Sequence, residues 1–114
     1  MTRLFDNSTV CAIINDQQRI GHALAPRHWH TYQPTERQLR AAIARVLRSS
    51  QSEVHIARGI SLGVETATVY TRQIMIAGRK RWISVAIYET GNRTGRLATA
   101  LEPTAAQLTH HGLR

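Results

Sequence analysis

Carboxylates are scarce in this chain, with seven Asp and Glu among 114 residues. Nucleases that use two cations need clustered carboxylates to hold them, and hydrolases with an acid/base carboxyl pair need two at a fixed spacing; neither pattern is present. Cysteine is rarer still. Cys11 stands alone, which excludes an intrachain disulfide, and its apolar surroundings predict a small core residue. No run approaches the roughly 20 consecutive apolar residues that span a bilayer, so no membrane partner is expected. Met1 to Asp6 lacks an apolar core followed by a cleavage site, which argues against a classical signal peptide. Repeats, low-complexity stretches, a Gly-rich phosphate loop and a GxSxG elbow are all missing.

What is abundant is positive charge. Lys and Arg number 15, giving a formal net charge of +8, and Lys80 is the only lysine. A balance of this kind favours polyanions. Arginine's planar fork suits bidentate phosphate contacts and stacking on bases, so a nucleic acid is the expected partner.

The periodicity predicts a single α+β domain over residues 1–114, with two N-terminal helices packed on a twisted four-stranded antiparallel sheet. Residues 1–7 and 104–114 are expected to be loose, apart from a short turn from Thr104. The first helix is expected from the cap signal Asn7-Ser8-Thr9 through Val10, Ala12, Ile13, Ile14, Ile20 and Leu24. Pro26 and Pro34 bracket a polar, aromatic connector. The second helix opens on the capping box Thr35 and Gln38 and runs to Ser49. Leu39, Ala42, Ile43, Val46 and Leu47 form its apolar stripe, while Arg37, Arg45 and Arg48 face away and Arg40 flanks them. Strands follow at Glu53–Arg58, Val64–Ile76, Arg81–Glu89 and Arg96–Leu101, separated by Gly59, an Ala77-Gly78-Arg79-Lys80 hairpin and the turn Thr90 to Gly95. Ile83, Val85 and Ile87 alternate with Trp82, Ser84, Ala86 and Tyr88, which gives the sheet one helix-covered face and one face free for a ligand.

His, Arg, Tyr, Thr and Ser remain for chemistry, and they suffice for metal-free RNA cleavage. A base takes the proton of the substrate 2′-OH, a cation supports the charged phosphorane, and an acid protonates the leaving 5′-oxygen. The candidates form two groups. His22, Arg27, His28 and His30 lie in or near the connector, where loop placement favours function. His55, Arg58, Tyr70, Arg72, Arg81 and Thr99 lie on or beside the strands. Arg37, Arg40, Arg45 and Arg48, with Arg79 and Lys80 of the hairpin, are expected to track phosphates. His28 and His30 with His55 offer three imidazoles but no supporting cysteine or carboxylate, so no metal and no cofactor is expected.

The run Val69-Tyr70-Thr71-Arg72, the hairpin Gly78-Arg79-Lys80-Arg81, Trp82 to Ile87, and Gly95-Arg96-Leu97-Ala98-Thr99-Ala100-Leu101-Glu102-Pro103 together resemble the closing sheet of the barnase, EndoU, colicin and RelE-like (BECR) ribonuclease superfamily. His22-Ala23 with Arg27 is similar to the start of its small RelE-like members. The resemblance covers residues 20–103. It implies a compact, metal-independent endoribonuclease toxin that cuts tRNA, rRNA or mRNA in the bacterial cytoplasm. Such a domain is delivered as the C-terminal part of a larger secreted toxin and is neutralised by a cognate immunity protein or antitoxin. Carried over by position, it implies roles for His22 or His28, Arg72, Arg81 and Thr99. The chain departs from the pattern at Leu101-Glu102-Pro103, where an acidic residue replaces an aromatic. Two other readings fit the composition. One is a non-catalytic nucleic-acid-binding module that stacks bases on Trp29, Tyr32, Tyr70, Trp82 and Tyr88. The other is a phage or bacterial protein-interaction domain.

Overall fold

The computed structural model describes residues 5–49, 53–58, 66–90, 94–110 and 112, with the backbone alone described for 53–58 and 110. The chain is an α+β domain. The expected strand start at Val64, the glycine at 59, most of the turn before Thr94, and the tail residue His111 lie outside the described residues.

One expected N-terminal helix is two. The first, α1 (Asn7–Ile14), is capped by Asp6, whose carboxylate accepts from Thr9 N at 2.7 Å, and the second, α2 (Gln17–Ala23), is capped by Asp16. The apolar spacing runs through both, but Asn15-Asp16 breaks it. A carboxylate that caps a new first turn and also meets Arg96 at 2.6 Å gains more at a helix start than inside a helix. Re-phasing puts Cys11 on the exposed side of α1 while Val10 and Ile13 enter the core, so the cysteine is not the core residue expected. A 3-10 turn, Pro26–His28, then leads into the connector.

The long helix α3 (Glu36–Arg48) starts on the complete capping box of Thr35 and Gln38, and its expected apolar stripe is buried throughout. Arg40 does not face solvent. Its guanidinium donates to the Ile14 carbonyl and to Gln17 Oε1 and sits 3.6 Å from Glu36, which ties α3 to the break between α1 and α2.

The strands β2 (Thr66–Ile76), β3 (Arg79–Tyr88) and β4 (Leu97–Leu101) form a three-stranded antiparallel meander, and the backbone of β1 (Glu53–Arg58) pairs along the outer side of β2. The β2–β3 connection is a two-residue turn, Ala77-Gly78, with φ of 52° and 81°. Positive φ at both positions matches the strand twist as a type I′ turn does. A bulge at Ala98 interrupts the β3–β4 pairing.

The helices lie against one sheet face, where Tyr70, Ile74, Ile83, Val85, Ile87, Leu97 and Ala100 join Val10, Ile20, Leu39, Ile43 and Leu47 in one core. Phe5 closes it edge-to-face on Tyr70 at 5.3 Å, so the chain is already packed by residue 5. The opposite face is not free. Ala67, Ala86, Tyr88 and Ala98 form a second apolar cluster there, and Thr71 and Ser84 are buried with their hydroxyls 2.7 Å apart. The last helix, α4 (Ala105–His110), buries Leu108.

Ala77 holds a left-handed conformation that costs an L-residue roughly 1–2 kcal/mol. Ala77→Asn creates the Asn-Gly pair favoured in type I′ turns and should raise stability by about 0.5–1 kcal/mol, or about 2–4 °C in Tm. An unchanged or lower melting temperature by calorimetry would refute this account of the turn.

Candidate functional site

Two histidines expected to be functional meet. His22 near the end of α2 and His28 at the end of the 3-10 turn stand edge-to-face with ring centroids 5.4 Å apart. His28 Nδ1 lies 3.1 Å from the Ala23 carbonyl. A carbonyl only accepts, so in that bond the proton sits on Nδ1, and in the neutral ring Nε2 carries the lone pair. The Thr99 hydroxyl is 3.4 Å from the same Nδ1, which brings the last strand to the pair. The Trp29 indole donates to the same Ala23 carbonyl at 2.9 Å and locks the turn from the core side.

Burial lowers the His22 pKa from its ordinary value, with further lowering from the charges of Arg19, His28 and Arg27. The shift favours the neutral form of the ring, the form that accepts a proton. Arg19, which the sequence reading did not single out, explains how α2 is held here. Its Nε donates to the Leu97 carbonyl at 3.1 Å and its Nη2 to the Ala98 carbonyl, at the bulge of β4. The only signal in the sequence was its position one helical turn before His22.

Glu102 is the second residue missed in this role. Its Oε1 accepts from His30 N at 2.7 Å and Thr31 N at 2.8 Å, Oε2 accepts from the Thr31 hydroxyl, and its own N–H donates to the His28 carbonyl at 2.8 Å. His30 Nε2 donates to the Glu102 carbonyl at 2.9 Å. Burial alone would raise the Glu102 pKa, but the Thr31 hydroxyl, the two N–H donors and the nearby His30 outweigh it and hold the carboxyl below its ordinary value. Both oxygens are engaged, so the acidic departure from the superfamily pattern is an anchor for the connector.

Beside this anchor lies a groove of about 290 Å³ lined by His30, Lys80, Arg81, Trp82, Pro103 and Leu108, among others. Arg81 sits over the Tyr32 ring at 4.5 Å, and the Tyr32 hydroxyl donates to the Trp82 carbonyl at 3.2 Å. Burial pushes the Tyr32 pKa well up, so its hydroxyl stays protonated.

Other expected site residues lie elsewhere. Tyr70 is only 1% exposed within the core, which removes it from any RNA surface. Arg72 pairs with Ile83 on the helix-covered side, whereas Thr99 pairs with Ala86 on the other, so Arg72 does not join the histidine pair. His55 pairs with Val69, in the row that continues through Ala86 to Thr99; three strand spacings of about 4.8 Å put it about 14 Å away. Its side chain and that of Arg58 lie outside the described residues. On α3, Arg37 and Arg48 are exposed, while Arg45 donates to the Met75 carbonyl at 3.3 Å. Arg27 and Arg79 are exposed. Among the described residues, no three of His, Cys, Asp and Glu gather closely enough to hold a metal ion.

No family model matches the chain, and no curated protein or solved structure matches it.

The Glu102 and Asp16 carboxyls are both held below their ordinary values, Asp16 because Arg96 and the Arg19 N–H outweigh its burial. Groups of this kind stabilise the fold fully above their unfolded pKa of about 4 and lose that contribution as pH falls through the lower folded value. Glu102→Gln should therefore lower Tm at neutral pH and flatten the decline below about pH 4. Melting curves across that range check it, and an acid limb as steep as in the parent protein would refute the anchor role.

Proposed function

We propose that this domain is a metal-independent endoribonuclease of the toxin type, with His22 and His28 as its proton-transfer pair. The observation that carries the reading is their contact beside Thr99 in a protein of charge +8. The α+β layout with an antiparallel sheet is compatible with the ribonuclease superfamily resemblance. That resemblance and the scarcity of carboxylates support the same class.

In this mechanism neutral His22 takes the proton from the substrate 2′-OH as the 2′-oxygen attacks phosphorus. The bond from phosphorus to the 5′-oxygen breaks, and protonated His28 gives its Nε2 proton to that oxygen. The products are a 2′,3′-cyclic phosphate and a 5′-hydroxyl, with the two imidazoles left in exchanged protonation states. The charge of a protonated His28 lowers the His22 pKa, which suits His22 to the role of base. The Ala23 carbonyl, accepting from Nδ1, leaves Nε2 of His28 as the nitrogen that faces the substrate. Thr99 orients that ring, and Arg27 supplies positive charge beside the pair.

The alternative of a stacking module is weakened by burial, because Trp29, Tyr70 and Tyr88 lie inside the protein. The substrate is single-stranded RNA, tRNA loops included. A domain acting in the bacterial cytoplasm as the delivered end of a larger toxin needs an immunity protein or antitoxin, and an acidic one complements this charge.

Cleavage of a defined RNA should persist in EDTA and follow a bell-shaped pH profile, and a deoxyribose at the scissile position should abolish it. His22→Ala and His28→Ala should each cost roughly 10²- to 10⁴-fold in rate with circular dichroism and Tm little changed. Chelation-sensitive cleavage restored by zinc or magnesium, or full activity in both variants, would sink this reading.

A further inference from the structure

The groove beside Glu102 has a composition that proton transfer does not require. Trp82 is partly exposed on one wall, the largely buried Pro103 and Leu108 line the same space, and Lys80 and His30 are exposed at its edge. A flat apolar slot bordered by cations fits a ligand with a planar base at one end and a phosphate at the other. The slot is also built in advance. The Tyr32 hydroxyl fixes the Trp82 backbone, the Tyr32 ring supports Arg81, and Glu102 fixes His30, so little ordering remains to be done on binding. The one carboxylate in the wall is engaged on both oxygens by Thr31 and His30, which limits its repulsion of an anion.

Position sets what such a ligand is. Thr99 pairs with Ala86, and Trp82 lies four residues further along β3 on the same face, about 13 Å away at roughly 3.3 Å per residue. A nucleotide in the groove therefore does not carry the phosphate held at His28 but one further along the same strand. We infer that the groove is a nucleotide-binding subsite, stacking a base on Trp82 and holding its phosphate with Lys80, that grips single-stranded RNA at a distance from the cut. The inference takes its choice of polyanion from the ribonuclease reading.

The test is a titration with adenosine 5′-monophosphate, which has no phosphodiester to cleave, followed by tryptophan fluorescence. Of the two tryptophans Trp29 is buried, so the signal reports on Trp82. The nucleotide should quench it saturably, Trp82→Phe should remove the response, and Lys80→Gln should weaken binding by about tenfold. Lys80 is an exposed residue next to the hairpin turn, so its variant remains informative even if Trp82→Phe folds poorly. Adenosine and inorganic phosphate, as separate probes, should each bind much more weakly. Absence of quenching, unchanged affinity in Lys80→Gln, or displacement by phosphate alone at equal concentration would overturn the inference. RNA cleavage without nucleotide binding would leave the ribonuclease reading standing and the subsite refuted. Binding without cleavage would do the reverse.

Discussion

A single carboxylate organises the functional end of this molecule. Glu102 follows the last strand and spends both oxygens on the connector, while its own amide reaches the carbonyl of His28. The anchor joins segments some 70 positions apart in the chain. It fixes where the 3-10 turn ends, which way His30 faces and where Tyr32 enters the core. A neutral side chain of similar size can supply one acceptor oxygen but not two charged ones, so the geometry depends on ionisation as much as on shape.

Arginine-rich composition usually reads as surface offered to a polyanion, yet several guanidinium groups here are engaged by the fold's own acceptors. Arg19 serves two strand carbonyls, Arg40 the break between α1 and α2, Arg45 the Met75 carbonyl and Arg96 the Asp16 cap. Each satisfies an acceptor left over where regular structure stops. Among the described residues, the exposed cations outside these contacts are Arg27, Arg37, Arg48, Arg79 and Lys80.

Local chemistry made some of this legible before any coordinates. The capping box at Thr35, the stripe from Leu39 to Leu47, the glycine turn after Ile76 and the alternation from Ile83 to Ile87 are each set by neighbours in sequence, and each is found. What failed was long-range. The α1–α2 break follows from Asp16 meeting Arg96 across the fold, which spacing alone does not reveal. Tyr70 and Arg72 were placed on a ligand face because strand phase is ambiguous by one residue, and the register puts them toward the helices. The free sheet face was inferred from the alternation along the third strand. Alanines and hydroxyls at Ala67, Thr71, Ser84 and Ala86 instead let that face close. The His22–His28 contact needed the sharp turn at Pro26, which the sequence marked only as a boundary.

The placement of Arg19 has a bearing on self-association. A terminal strand exposes a row of backbone groups to which a second molecule can add, and proteins blunt such borders with charge or irregularity. On β4 both devices coincide, because the Ala98 bulge disrupts the regular spacing and a guanidinium already occupies the Leu97 and Ala98 carbonyls. That border of the sheet is thereby blunted as a template for a further strand.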